Sequence, residues 1–467
     1  MRKPRLFITG SCGASLGQWE EQLGNAAILI GLSNLLSKYI PSAIVRTKYQ
    51  LTPNFSQMYG IQSVHDQRVW GYRLRDLLLS SLNLGRCLMW RLLRRVLRVD
   101  VKILRSGGLL TEYSEADVVV DLSGDSFGDN ANLRVFIKHC LDILAASALG
   151  KPIVSLANSP GPFTRILRRF CGKFVLNRMS VITLREPESF RILQDLSVRA
   201  PVIVTACPAF HLEPASDERV KDILKSEHVG DVEGPLVGVT LCGYNLYSDP
   251  TWGRPRSLDD LKLFIPTMKF LLDELKAKVL LIPHVYRTNP WTGEHIHGPD
   301  YLILRALAQL VDNRYYGRRL ILMQGCYSVS EIKGVIGKLD LFISGRLHAG
   351  VAGLSQCVPT VLVAYGHKHI GFARLLNMQK YVHQGRDPRE LLNIVREAWV
   401  QRAMIRRELQ ERVPVVKKLA EVNVIILRDL IDMASEKGVC VSEKCLQRWV
   451  KLGWSGQLSA VSETNSR

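Results

Sequence analysis

Short apolar runs that stop at Gly, Ser, Pro or Asn alternate with longer helix-patterned segments along most of this chain, and that alternation restricts the fold more than any other feature. The runs Leu6–Thr9, Ala43–Arg46, Asp117–Leu122, Ile153–Ala157, Val181–Leu184 and Val202–Thr205 form a first set. Leu236–Leu241, Lys278–Ile282, Leu320–Met323, Leu339–Ile343 and Thr360–Val363 form a second. Most lack period-two alternation, as strands covered by helices on both faces do. Segments such as Leu133–Leu149 and Leu258–Leu275 carry helical spacing between them. Strand and helix in alternation predict βαβ units and parallel sheets.

At 467 residues the chain exceeds one ordinary core, and 47% hydrophobic residues suffice for two. The polar stretch near Glu213–Pro235 predicts the boundary: a Rossmann-like domain over 1–215, a second over 216–388, then closing helices and a flexible tail over 389–467. Two such domains with closing helices match the GT-B architecture. Parallel sheets bind ligands at the carboxyl ends of their strands, so an interdomain cleft is the expected site.

The net charge of +19 favours acidic partners such as phosphorylated substrates or an anionic lipid surface. Nucleic acid is not expected, since zinc-finger spacing, an RNP-like motif and a long basic tail are all missing. The ten Cys form no CxxC pair and read as reduced thiols. No run of about 18 uninterrupted apolar residues occurs, the length a spanning helix needs. The expected location is cytoplasmic, with peripheral attachment to the inner face of the plasma membrane open. Gly85–Arg105 motivates that attachment: six Arg and one Lys against one Asp, with apolar residues at helical spacing. Such a helix can lie on an anionic membrane surface, or be an ordinary solvated helix.

Several strand ends carry chemistry. Ile343-Ser344-Gly345-Arg346-Leu347-His348 runs from a strand into a helix N-terminus. Unpaired N–H groups, the Arg346 fork and a His that titrates near neutrality make an anion corner with an acid/base candidate. The alternative is a structural Arg with a capping His. Arg185 ends another strand, before Glu186-Pro187-Glu188, and reads either as a cleft residue or as a surface partner of Glu188. Ser123-Gly124-Asp125-Ser126 is a Gly-containing loop offering a carboxylate, or a plain turn. Asn158, His284 and Lys368 follow three further strands. His295 and His297 lack zinc-site spacing, and no metal is expected.

These stretches, in this order, resemble the polysaccharide pyruvyl transferase family. The matching elements are Asp117–Gly128, Lys151–Phe163, Ser180–Ser189, Leu281–His284, Glu331–His348 and Pro359–Gly371. The resemblance implies a GT-B-like fold and transfer of the enolpyruvyl unit of phosphoenolpyruvate onto two sugar hydroxyls. The product is a pyruvate ketal, with phosphate released and no cofactor needed. It implies a cell-surface glycan, exopolysaccharide or lipid-linked precursor as acceptor, in cell-envelope synthesis. Carried onto this sequence, Arg185, Arg346, Leu347 and His348 contact the donor. His284, Lys368 and Asn158 are further substrate-binding candidates, with His348 the candidate acid and Asp125 the candidate base. The first loop departs from the family pattern: Leu23-Gly24-Asn25-Ala26-Ala27-Ile28-Leu29 lacks its usual Asp. Competing readings are a GT-B glycosyltransferase using a nucleotide sugar and a catalytically inactive membrane-associated assembly protein.

Overall fold

The structure is a computed structural model that describes residues 2–10, 21–64, 73–230, 234–245, 257–288, 295–435 and 441–454. The tail expected to be flexible lies largely outside them. The chain divides into two compact units. The first comprises residues 1–19, 32–207 and 418–467; the second comprises 20–31 and 208–417. The units therefore divide at Cys207/Pro208, where the sequence reading placed a boundary at 215/216. Among the described residues the chain crosses between units twice more, inside the helix Leu23–Tyr39 and inside the helix Arg402–Ser435. Helical periodicity runs unbroken through both crossings, so no linker composition marks them.

The first unit holds β1 (Arg5–Thr9), β2 (Ile44–Thr47), β3 (Ile61–Ser63), β4 (Val118–Asp121), β5 (Ile153–Asn158), β6 (Val181–Leu184) and β7 (Val202–Val204). They form one sheet in the order β3-β2-β1-β4-β5-β6-β7, parallel throughout. Every residue of β4, β5 and β6 is buried, which is why their sequences read as continuous apolar runs.

The second unit holds β8 (Leu236–Thr240), β9 (Lys278–Leu281), β10 (Tyr286–Thr288), β11 (His295–His297), β12 (Leu320–Leu322), β13 (Leu341–Ser344), β14 (Thr360–Ala364) and β15 (Val382–Gln384). Six of them make a parallel sheet in the order β12-β9-β8-β13-β14-β15. β10 and β11 pair antiparallel beside it. All eleven strands expected from the sequence are present. β3, β10, β11 and β15 were not foreseen, being three-residue strands that carry polar residues, unlike the equally short but wholly apolar β7 and β12. The segment 258–275 is helical but broken into a 3-10 turn (Leu258–Phe264), a short α-helix (Ile265–Lys269) and a π-turn (Phe270–Glu274), with Pro266 at the first junction.

The basic segment is helical from Leu74 to Val96, starting eleven residues before Gly85, and Lys102–Arg105 forms a separate 3-10 turn. No helix among the described residues is long and apolar enough to cross a membrane.

The C-terminal helices lock onto the first sheet through polar contacts. Asn423 is fully buried; its Oδ1 accepts from Thr183 Oγ1 (2.7 Å) and Thr205 Oγ1 (3.0 Å), and its Nδ2 donates to the Ala206 carbonyl (2.9 Å). Trp449, on the helix Glu443–Leu452, is also fully buried and donates Nε1–H to Asp429 (2.8 Å). Trp449→Ala should destabilise the first unit by about 3–5 kcal/mol, the usual scale for emptying a buried aromatic site. Denaturant unfolding measures it, and a loss under about 1 kcal/mol would show the helix to be an appendage.

Candidate functional site

Each sheet reverses direction once. In the second unit the chain adds β9 and β12 on one side of β8, then returns to place β13, β14 and β15 on the other. The carboxyl ends of β8 and β13 flank that reversal, where open parallel sheets leave a crevice. Gly345, just past β13, donates its N–H to the Thr240 carbonyl at the end of β8 (2.7 Å). A Cβ on Gly345 would stand 2.2 Å from Asn245 Oδ1, so only glycine fits. Asn245 is held by its side chain, which accepts from Cys242 N (2.8 Å) and donates to the Val363 carbonyl (3.2 Å).

Arg346 is the N-cap of the helix Leu347–Leu354, in extended conformation. Its Nε and Nη2 donate to the two carboxylate oxygens of Asp300 at 2.7 and 2.6 Å, a bidentate pair. Asp300 is fully buried and sits in the first turn of the helix Pro299–Leu310. Burial opposes the charge on Arg346, but Asp300 outweighs it and holds the guanidinium protonated. The pair fixes the side chain through one edge, which leaves the Nη1 donors as the edge available to a ligand. Leu347 is buried, so it can meet a ligand only through its backbone.

His284, three residues past β9, is buried; burial and the neighbouring Arg346 push its pKa down to about 3, so it is neutral. Lys368, in the first turn of the helix His367–Leu375, lies with Nζ 4.7 Å from the Tyr365 ring centre. Tyr365 stacks on Tyr244 (4.9 Å). His348 is half-buried, against the first turn of the helix Leu23–Tyr39. A Cβ built on Gly24 would stand 2.6 Å from His348 Nδ1 and 3.0 Å from its Cβ. The second unit thus brings together four expected residues, His284, Arg346, Leu347 and Lys368, at successive strand ends, with His348 on the adjoining helix.

The first unit reverses between β1 and β4. Arg185, Asn158 and Asp125 follow β6, β5 and β4. Arg185 is buried, which removes the surface-pair reading; Nε donates to Ser159 Oγ (2.8 Å) and the guanidinium lies beneath Gly124. Glu188 is paired with Arg191. Asn158 is buried too, and its amide accepts from Gly124 N (2.7 Å) and donates toward Asp121 and Ser155. It shapes the loop that presents Asp125, which is half-buried.

Two buried carboxyls of this unit keep their protons up to about neutral pH. Burial pushes Asp121 up to about 7, against the Ser123 hydroxyl bonded to it. Burial likewise lifts Glu186 to about 7, against the hydroxyl and N–H of Ser189. His139, beside Asp121, is driven down to about 3 by burial and is neutral.

Sequence reading missed Asp300, Asn245 and Gly24. Pro299-Asp300 was legible as a helix start, but nothing local tied it to Arg346. Gly24 had been noted only for the missing Asp nearby. His297 donates its Nε2–H to the Gln324 carbonyl (2.7 Å) and stacks on Tyr301. Among the described residues, no three His, Cys, Asp or Glu side chains gather as a metal site.

The family model for polysaccharide pyruvyl transferase matches residues 23–367, and the chain belongs to that family. No curated protein matches the sequence. The fold is GT-B-like, shared with solved structures at low identity. The S. aureus MnaA–UDP co-structure is 13% identical with a TM-score of 0.55, covering 93% of this chain and 99% of its own. A putative UDP-N-acetylglucosamine 2-epimerase from Listeria monocytogenes is 11% identical with a TM-score of 0.56, covering 95% and 100%. Anabaena Alr3699/HepE in complex with UDP and glucose is 13% identical with a TM-score of 0.53, covering 92% and 99%.

Two outcomes follow from this geometry. Gly24→Ala should push the His348 imidazole aside by several tenths of an ångström and leave the helix intact, since alanine favours a helix over glycine by about 1 kcal/mol. Histidine side-chain NMR detects it, and unmoved His348 signals would disprove the contact. Asp121 and Glu186 also set a pH dependence. Their folded pKa values lie above the usual carboxylate range, so the folded chain keeps protons that the unfolded chain releases. The stability they contribute is complete below that range and is lost as pH rises through about 7. The thermal midpoint should fall between about pH 5 and about pH 8, and Asp121→Asn with Glu186→Gln should flatten that fall.

Proposed function

We propose that this chain transfers pyruvate from phosphoenolpyruvate to two hydroxyls of a sugar, forming a ketal and releasing phosphate. The observation that carries the reading is the Arg346–Asp300 pair at the strand-order reversal of the second sheet. It holds a guanidinium in place, with one edge open, beside a helix N-terminus. Phosphoenolpyruvate carries a phosphate and a carboxylate on a small frame, which suits an Arg fork, a lysine and unpaired N–H groups. Lys368 and the neutral His284 are assigned to the same donor, and Arg185 is assigned to it by the family likeness.

His348 is the proposed acid. It delivers a proton to the methylene carbon, leaving a cationic centre at C2. A sugar hydroxyl attacks C2 and loses its proton to a base, for which Asp125 is the candidate. The C2–O bond to phosphate then breaks, and a second hydroxyl closes the ketal, its proton balancing the departing phosphate. The acceptor is a cell-surface glycan or its lipid-linked precursor.

The same fold supports a second reading, because MnaA and HepE are solved with UDP. A nucleotide-sugar glycosyltransferase would release UDP and be stabilised by UDP in a thermal shift. The transfer reading expects phosphate release from phosphoenolpyruvate with a candidate glycan, and a new ketal methyl signal by NMR. UDP release from a nucleotide sugar in its place would overturn it. Arg346→Ala should weaken phosphoenolpyruvate binding by about 2–5 kcal/mol in calorimetry, the scale for removing one member of a buried charged pair. Unchanged affinity would place the donor elsewhere.

A further inference from the structure

The helix Leu74–Val96 has two dissimilar sides. One holds Asp76, Ser80, Cys87 and Trp90, all buried, and the helix packs along the helix Leu133–Ala148. The opposite side holds Leu78, Leu82, Met89, Leu92 and Val96, which helical spacing gathers into one stripe. These five are between 50% and 66% exposed. A solvated surface helix would carry polar residues there.

The helix Ile166–Leu176 repeats the arrangement and also contacts Leu133–Ala148. Arg168, Gly172, Val175 and Leu176 face inward. Ile166, Phe170 and Phe174, four residues apart, are 87%, 72% and 43% exposed. Two apolar stripes therefore border one central helix on the same unit, a larger apolar surface than scattered exposure explains. By helical geometry Arg95 follows one edge of the first stripe, and Arg75 and Arg86 the other. Arg169 and Lys173 border the second.

We propose that this face docks the chain on an anionic lipid bilayer, with the stripes in the acyl boundary and the arginines at lipid phosphates. The charge complementarity selects the occupant. A second copy of this chain paired two-fold through the same face would bring the same arginine rows together, and like charges so placed repel. The surface is separate from the donor residues, so the proposal stands whether or not pyruvyl transfer does.

Vesicle flotation of the full chain tests it. The protein should float with vesicles of phosphatidylglycerol mixed with phosphatidylcholine, stay behind with phosphatidylcholine alone, and release as salt rises. Leu82→Ser with Phe170→Ser should lower partitioning more than about tenfold at unchanged circular dichroism. Arg75→Gln and Arg95→Gln should each lower it about fivefold, from about 1 kcal/mol per basic residue at such a surface. No flotation, equal flotation with neutral vesicles, or flotation indifferent to these substitutions would overturn the proposal. So would a dimer in size exclusion that Phe170→Ser dissolves, which would mark the face as a protein interface.

Discussion

A parallel sheet that grows first to one side and then to the other must leave a gap between the connections at the reversal, because the crossing helices depart in opposite directions. Each unit obeys this once, between β1 and β4 and between β8 and β13. The placement of the candidate residues depends on it. Gly345 can bond the end of β8 because β13 lies directly beside it, and the turn that follows throws Arg346 into the crevice.

The second requirement is electrostatic. A guanidinium or carboxylate taken from water needs a counter-charge or must give up its own charge. The two units answer differently. Arg346 keeps its charge because Asp300 is placed across both donors of one edge. Asp142, buried on the helix Leu133–Ala148, also keeps its charge: burial pushes it up, but Lys138 and Lys48 overcome that and hold it near about 2. Asp121 and Glu186 have hydroxyls for company and are neutral over much of the working range.

Much of this was legible in the residues. β4, β5 and β6 announced themselves because strands buried on both faces are apolar throughout. The corner Gly345-Arg346-Leu347-His348 was legible because a strand, a glycine and a helix start in succession leave few geometries. The helix start at Leu74 was harder to see, since Leu74–Leu84 has no arginine row like the one after Gly85. Asn158 looked like a substrate contact from its place at a strand end. Its amide closes on Gly124, Asp121 and Ser155, a fact that depends on how three strand ends lie in space.

The sequence alone determined the class of fold and the order of the main strands along the chain, because periodicity is a local property. Only the tertiary structure decided that Asp300, 46 residues away, orients Arg346. It also decided that Gly24 lies against His348, and that the segment 20–31 belongs with the second unit. Those contacts join residues distant along the chain, where the nearest neighbour is chosen by sheet order and helix packing, and no local pattern carries that information.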